Sequence, residues 1–253
     1  MVIQIFSWNI CGWKSILSKG FTKFLEDYRP DIICLQEIRT RDINIPFDPI
    51  YLKYNIYINP SKRKGFHGTA ILTKIKPIRV IKKIGFPRFD LEGRFLRLDF
   101  KNFILINIYM PHGGRFKENM DYKLKAYDVL LNYLAEIRNL NIVLAGDFNI
   151  AHKPIDLARP RENMNNTMFT LEERSRIDKL VEIGFIDTFR EFNNMGGYYT
   201  WWPRSYRARE KNIGWRIDYI FVSSRLRKYL VDAFILSISG SDHCPIGIKL
   251  RFD

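Results

Sequence analysis

Ten short runs of β-branched and aromatic residues, at 2–8, 31–36, 54–59, 68–73, 94–99, 103–110, 141–146, 217–222, 232–238 and 245–251, are spread over this chain from end to end. Many follow one another with no helical pattern between them. Strands joined without crossover helices pair mainly antiparallel, so the pattern calls for an α/β fold: a four-layered sandwich of two packed, mainly antiparallel sheets flanked by helices. Helical periodicity is clearest at 121–138, where Leu124, Tyr127, Leu130, Leu131, Leu134 and Ile137 recur every three or four residues behind Asp121, a residue suited to capping. Residues 18–28 and 171–184 fit the same period. No repeat, low-complexity stretch or long Pro/Gly/Ser linker divides the sequence, which reads as one domain over 1–253.

With 46% hydrophobic and 15% aromatic residues, the chain has too much apolar surface to remain disordered. Its 41 Lys and Arg outnumber 27 Asp and Glu, a formal charge of +14, which makes a polyanion the expected partner. Basic clusters lie at Lys62-Arg63-Lys64, at Lys82-Lys83 and from Arg204 to Lys211, where Tyr206 sits among arginines. Cations interleaved with aromatics suit a phosphate track with stacking platforms, so nucleic acid is favoured over a membrane surface. Cys11, Cys34 and Cys244 form neither a disulfide framework nor a metal-finger spacing. No apolar run approaches the roughly 20 residues that span a bilayer, and the N-terminus reads as a strand rather than a signal peptide. A cytoplasmic, monomeric protein with no membrane contact is the expectation.

The chemistry is concentrated where apolar runs stop. The first run ends in Trp8-Asn9, the second in Gln36-Glu37 and another in Tyr109-Met110-Pro111. Ile142-Val143-Leu144-Ala145 runs into Gly146-Asp147-Phe148-Asn149, and Ser241-Asp242-His243-Cys244-Pro245 lies near the C-terminus. Carboxylates and amides leaving several strands at one sheet edge can converge on a single cleft, and oxygen-rich donors suit Mg²⁺. Each motif alone is weak, because an Asp-x-Asn after a strand is more often a turn.

Taken in order, Trp8-Asn9, Leu35-Gln36-Glu37, Asn107-Ile108-Tyr109, Gly146-Asp147-Phe148-Asn149, Gly214-Trp215-Arg216-Ile217-Asp218-Tyr219 and Ser241-Asp242-His243 resemble the exonuclease III and AP-endonuclease family, in its archaeal-type members. That family belongs to the endonuclease/exonuclease/phosphatase superfamily. The resemblance implies a Mg²⁺-dependent nuclease, with Mn²⁺ as an alternative, that cuts double-stranded DNA 5′ to abasic sites. It also implies 3′→5′ exonuclease and 3′-phosphatase side activities. It makes Glu37 the principal metal ligand, with Asn9 and Asp242 beside it and Asp147, Asn149 and His243 reaching the same set. Asp147 would be the general base, Asn149 the holder of the attacking water, Tyr109 a neighbour of the scissile phosphate, and Asp218 the carboxylate that orients His243. Arg63, Lys64, Arg94, His112, Arg115, Asn163, Asn166, Trp201, Arg207, Arg209, Trp215 and Ile217 would contact DNA. Among these, Trp201, Trp215 and Ile217 would wall a pocket for the base-less sugar, and the arginines of the stretch 204–209, Arg204, Arg207 and Arg209, would form with Tyr206 a wedge able to extrude even a deoxyuridine.

Four positions depart from the family pattern: Cys11 stands where an acid or amide is usual, His112 where Asn or Gln is common, Met168 where glycine precedes Phe-Thr, and Phe66 where tyrosine is frequent. The competing readings are a lipid-headgroup phosphodiesterase of the same superfamily and a noncatalytic basic nucleic-acid-binding module.

Overall fold

In the computed structural model, which describes residues 1–44, 46–205 and 207–252, the strands form two six-stranded sheets. The first contains β1 (Val2–Asn9), β2 (Ile32–Gln36), β3 (Asn55–Asn59), β4 (Thr69–Thr73), β11 (Leu230–Ile235) and β12 (Ile246–Arg251), in the order β11-β12-β1-β2-β4-β3. The second contains β5 (Arg79–Ile81), β6 (Phe95–Asp99), β7 (Ile104–Tyr109), β8 (Ile142–Asp147), β9 (Phe185–Asp187) and β10 (Asp218–Ser223), in the order β5-β6-β7-β8-β10-β9. Among the described residues only β1 with β2 and β7 with β8 pair parallel. These are the two places where helices must carry the chain back across a sheet. The first crossover is α1 (Trp13–Leu17) and α2 (Phe21–Tyr28), and the second is α4 (Met120–Ile137). The remaining helices are α3 (Pro87–Leu91), α5 (Pro160–Asn163), α6 (Leu171–Glu182) and α7 (Thr188–Phe192). No helix among the described residues is long and apolar enough to cross a membrane.

Four layers result, as the strand pattern predicts. Ile5, Cys34, Ile71, Leu98, Leu105, Val143, Val222 and Ile248 meet between the sheets. On the outer face of the first sheet, Ile16, Phe21, Phe24 and Leu25 cover Phe6, Trp8 and Leu35. On the outer face of the second, Tyr127, Leu130, Leu134, Ile177 and Leu180 cover Ile106, Ile142, Leu144 and Phe221. Each such side chain contributes about 1.5–3 kcal/mol on burial. Because both faces of β8 are covered, its sequence is a continuous apolar run without alternation.

Two local expectations change. Asp121 lies in the first turn of α4, where its charge complements the helix dipole, and the cap position belongs to Asn119, which makes no side-chain cap bond. The three-residue edge strands β5 and β9 are too short to display a period.

Two features aim the sheets at the site. Gly146 has φ of 150°, and a β-carbon there would lie 2.0 Å from the carbonyl oxygen of Ile108, so only glycine lets β8 approach β7 at its end. Between the sheets, Gln36 Nε2 donates to Asn107 Oδ1 at 2.7 Å and to Ser7 Oγ at 3.0 Å, while Asn107 Nδ2 donates to the carbonyls of Leu35 and Ala70 at 3.0 and 2.9 Å. Buried amides accept little mispairing, so this link fixes the register of one sheet against the other directly beneath Glu37 and Tyr109.

Candidate active site

The two parallel pairs bring the ends of β1, β2, β7 and β8 to one edge, and antiparallel pairing brings the start of β10 there too, with Asp218 opposite Asp147. The segment Ser241–His243, just before β12, completes the edge. Together these ends line a cleft of about 610 Å³ whose walls include Glu37, Tyr109, Asp147, Asn149, Asp242 and His243.

Asn9 is fully buried and its Nδ2 donates to both Glu37 Oε1 at 3.0 Å and Asp147 Oδ2 at 2.9 Å. It therefore sets the separation of the two carboxylates. Glu37 follows β2 with φ of 51°, a left-handed conformation that turns its side chain into the cleft. Burial works against its ionisation, but Arg39 and hydrogen bonds from Asn9, Arg39 and Tyr109 outweigh that and hold the carboxyl below its usual range. Asn149, at φ of 51°, closes an Asx turn, its amide donating to Asp147 Oδ1 at 2.8 Å and its Nδ2 to the Met110 carbonyl at 2.9 Å. The turn that Asp-x-Asn ordinarily forms is thus present, and it is what shapes the site. Lys123, fully buried, ties this loop down by donating to the Asn149 carbonyl at 2.6 Å and to Glu173 at 2.5 Å.

Asp147, Asp218 and His243 offer ligand atoms within 4.8 Å of one another. Burial and then Asp218 raise the Asp147 carboxyl to about 7, with His243 opposing. His243 is raised to about 10: burial disfavours its charge, and Asp218, 2.8 Å from Nδ1, more than reverses that. With Asp218 on Nδ1, the ring nitrogen that His243 has left for an incoming group is Nε2. Asn9 faces the carboxylates with its Nδ2 while its Oδ1 accepts from the Cys11 amide at 3.1 Å, and the hard carboxylate oxygens of Glu37 and Asp242 are donor chemistry that fits a divalent cation such as Mg²⁺. Asp242 is kept ionised below its usual range: burial opposes this, and His243 and Arg204 prevail.

Trp201, Ile217 and Met168 line one side of the cleft. Trp215 lies behind them, buried edge-on against Phe169 at 6.3 Å between ring centres, so it supports the wall rather than facing the cleft. Met168 departs from the family pattern but carries no expected role in the sequence; its φ of 77° is the conformation that favours glycine, and in adopting it the chain gains an apolar side chain in the wall. Thr200 fixes the neighbouring strand start, its Oγ1 accepting from the amides of Ile217 and Asp218 at 3.0 and 3.1 Å.

Other expected DNA contacts divide by exposure. Arg63, Lys64, Arg115, His112 and Asn166 are exposed, and Asn163 is half-buried with its amide on the carbonyls of Ala158 and Arg159. Arg94 is buried and offers no free face: it pairs with Glu92, donates to the Tyr109 carbonyl at 2.9 Å and to His67 Nδ1 at 3.1 Å, and covers the Tyr109 ring at 4.4 Å. His67 stays neutral for this contact, its ring lowered to about 4 by burial and then by Arg94. Arg209 is likewise spent, donating to the carbonyls of Ser241 and Ile238 and stacking on Trp202. Of the supposed wedge, Arg207 is exposed and pairs with Glu210 at 2.5 Å, and Tyr206 lies outside the described residues. Arg204, expected in the wedge stretch, and Arg39, not expected at the site from sequence, border the cleft. A cation two residues beyond a strand-terminal glutamate is the one sequence signal that could have found Arg39.

Comparison with known proteins places this geometry. The chain is 41% identical over 97% of its length, and over 70% of the relative's, to a DNA-(apurinic or apyrimidinic site) endonuclease of Dictyostelium discoideum. It is 38% identical to an exodeoxyribonuclease of Bacillus subtilis over 98% of its own length and 100% of the relative's. The structure of an AP endonuclease from Archaeoglobus fulgidus superposes with a TM-score of 0.89 at 27% identity, covering 99% of this chain and 100% of that one. Residues 6–243, which include every strand-end group of the cleft, match the endonuclease/exonuclease/phosphatase family, and the chain belongs to that family.

Proposed function

We propose that this chain is a metal-dependent DNA repair nuclease that hydrolyses the phosphodiester 5′ to an abasic site and leaves a 3′-hydroxyl. The observation that carries the reading is the apolar wall of Trp201, Ile217 and Met168 set directly beside the Asp147–Asp218–His243 cluster. A sugar without a base has nothing to unstack or unpair and enters such a recess cheaply, whereas a lipid headgroup gives the wall no purpose.

The chain's own residues define the steps. Asp147, whose raised carboxyl suits proton transfer near neutral pH, takes a proton from the attacking water, which Asn149 helps to hold. His243, fixed by Asp218 in its charged form, donates to a phosphate oxygen and gains strength as charge develops there. Burial, reinforced by Glu37, raises the Tyr109 hydroxyl well above its ordinary value, so it remains a neutral donor beside the phosphate. A divalent cation held by Glu37 and Asp242, with Asn9 bracing Glu37, would supply the positive charge that stabilises the departing oxygen.

The test uses one labelled duplex set, abasic, 3′-phosphate, recessed 3′ end and deoxyuridine, with Mg²⁺ or with chelator. Metal-dependent nicking 5′ to the abasic site is expected, and Glu37→Gln should lower it by at least about a hundredfold at ordinary Mg²⁺. Metal-independent nicking, or faster hydrolysis of a lipid-headgroup diester than of DNA, overturns the reading. Absence of deoxyuridine nicking removes only the wedge.

A further inference from the structure

Both carboxylates assigned to the cation carry an arginine. Arg39 directs Nε and Nη2 to Glu37 Oε2 at 3.0 and 2.5 Å, the oxygen that Asn9 leaves free. Arg204 Nε donates to Asp242 Oδ2 at 3.2 Å, and its Nη2 to Cys11 Sγ at 3.1 Å. The carboxylates are recessed, with side chains 14% and 17% exposed, whereas the two arginine side chains are 42% and 71% exposed. The arginines are therefore the movable members of each pair. Arg39 and Arg204 also line a second groove of about 720 Å³ beside the cleft, along with Lys19 and Arg207, so each guanidinium can turn from its carboxylate into a cationic channel without leaving the site. The acceptor at Cys11 is a weak sulfur, which a stronger anion displaces readily.

Resting on the assignment of Glu37 and Asp242 to the cation, we propose that Arg39 and Arg204 are exchangeable counterions that couple metal binding to DNA binding. With both ion pairs closed, two carboxylates and two guanidiniums cancel. A divalent cation on the carboxylates displaces the guanidiniums and leaves a surplus of two positive charges, which two backbone phosphates neutralise. Guanidinium meets phosphate through paired N–H donors, so the released arginines exchange one good partner for another. By linkage the effect is reciprocal: DNA that draws the arginines away from Glu37 and Asp242 tightens the cation by the same factor.

The readout is Mn²⁺ affinity, measured by calorimetry and by the spin signal of free Mn²⁺, in an Asp147→Asn background that does not turn over. The protein is titrated alone and on a duplex carrying an abasic analogue. The duplex is expected to tighten Mn²⁺ by about tenfold. Adding Arg39→Met and Arg204→Met should tighten Mn²⁺ in the protein without DNA by a similar factor and shrink the effect of the duplex to within about twofold. Either change without the other overturns the exchange. Glu37→Gln separates the two ideas: if it binds Mn²⁺ as the parent does, the metal assignment itself fails; if it loses Mn²⁺ while the arginine variant behaves as the parent, only the exchange fails.

Discussion

Two clusters of buried charge lie on either side of the pocket wall, and they are built on opposite terms. Behind the wall, Arg216 donates to Asp156 at 2.8 Å and to both oxygens of Asp187 at 3.1 and 2.6 Å, and Arg190 reaches Asp156 at 2.5 Å. Two cations face two anions, and the Arg216 guanidinium also covers the Tyr219 ring at 4.4 Å. In the cleft, Asp147 and Asp218 are neighbours across paired strands with one imidazole bonded to Asp218, and Asp218 Oδ1 is buried with no hydrogen-bond partner among the described residues. The balanced cluster lowers the Asp156 carboxyl, because Arg216 and Arg190 outweigh the cost of burial. The unbalanced one raises Asp147. Similar residues at similar depth thus have their carboxyls shifted in opposite directions, according to whether the charges cancel.

The comparison breaks first at Asp147. Asp147→Asn should lower single-turnover incision by roughly 10²–10⁴-fold while leaving equilibrium binding of abasic duplex nearly intact, since it removes the proton acceptor and not the phosphate contacts. If affinity and rate collapse together, Asp147 is structural and the contrast is lost. Arg216→Met should act the other way round, through folding. Removing the cation leaves Asp187 without its guanidinium and the buried Asp156 with Arg190 alone, at a cost of about 3–5 kcal/mol in urea unfolding. Adding Asp156→Asn and Asp187→Asn to that variant should recover part of the loss, and a cost under about 1 kcal/mol for Arg216→Met alone shows that the network does not brace the fold.

The smallest effect is in acid. A carboxyl held below its ordinary value contributes stability that is present above that value and is lost as pH falls through its lowered one, so the Asp156 share disappears in the range below about 4. In Asp156→Asn the unfolding midpoint should fall less steeply with pH there than in the parent. Equal slopes would mean that other carboxylates set the acid limit.

Much of this arrangement is legible in the order of the amino acids. Asn9, Glu37, Asp147, Asn149, Asp218, Asp242 and His243 each stand beside an apolar run, and a polar residue at the end of a buried strand has few reasons to be there. The long periods of α4 and α6 are equally plain, since burial against a sheet imposes the 3.6-residue repeat on the sequence. What stays hidden depends on partners distant in sequence. Arg94 and Arg209 look like free cations until Glu92, Tyr109, Ser241 and Ile238 close around them. Trp215 looks like a pocket wall until Phe169 takes its edge. Met168 and Arg39 reach the cleft from left-handed turns, at φ of 77° and 52°, that periodicity does not reveal.

The sequence alone therefore determined the strand-rich sandwich, the line of strand-terminal donors and the cationic character of the molecule, because periodicity, apolar runs and net charge are local or additive properties. Only the tertiary structure decided which charges cancel. That outcome depends on distances of about 3 Å between residues tens to hundreds of positions apart, such as Asn9 with Asp147 or Arg204 with Cys11, and such distances are set by strand register and turn conformation rather than by the identity of either residue.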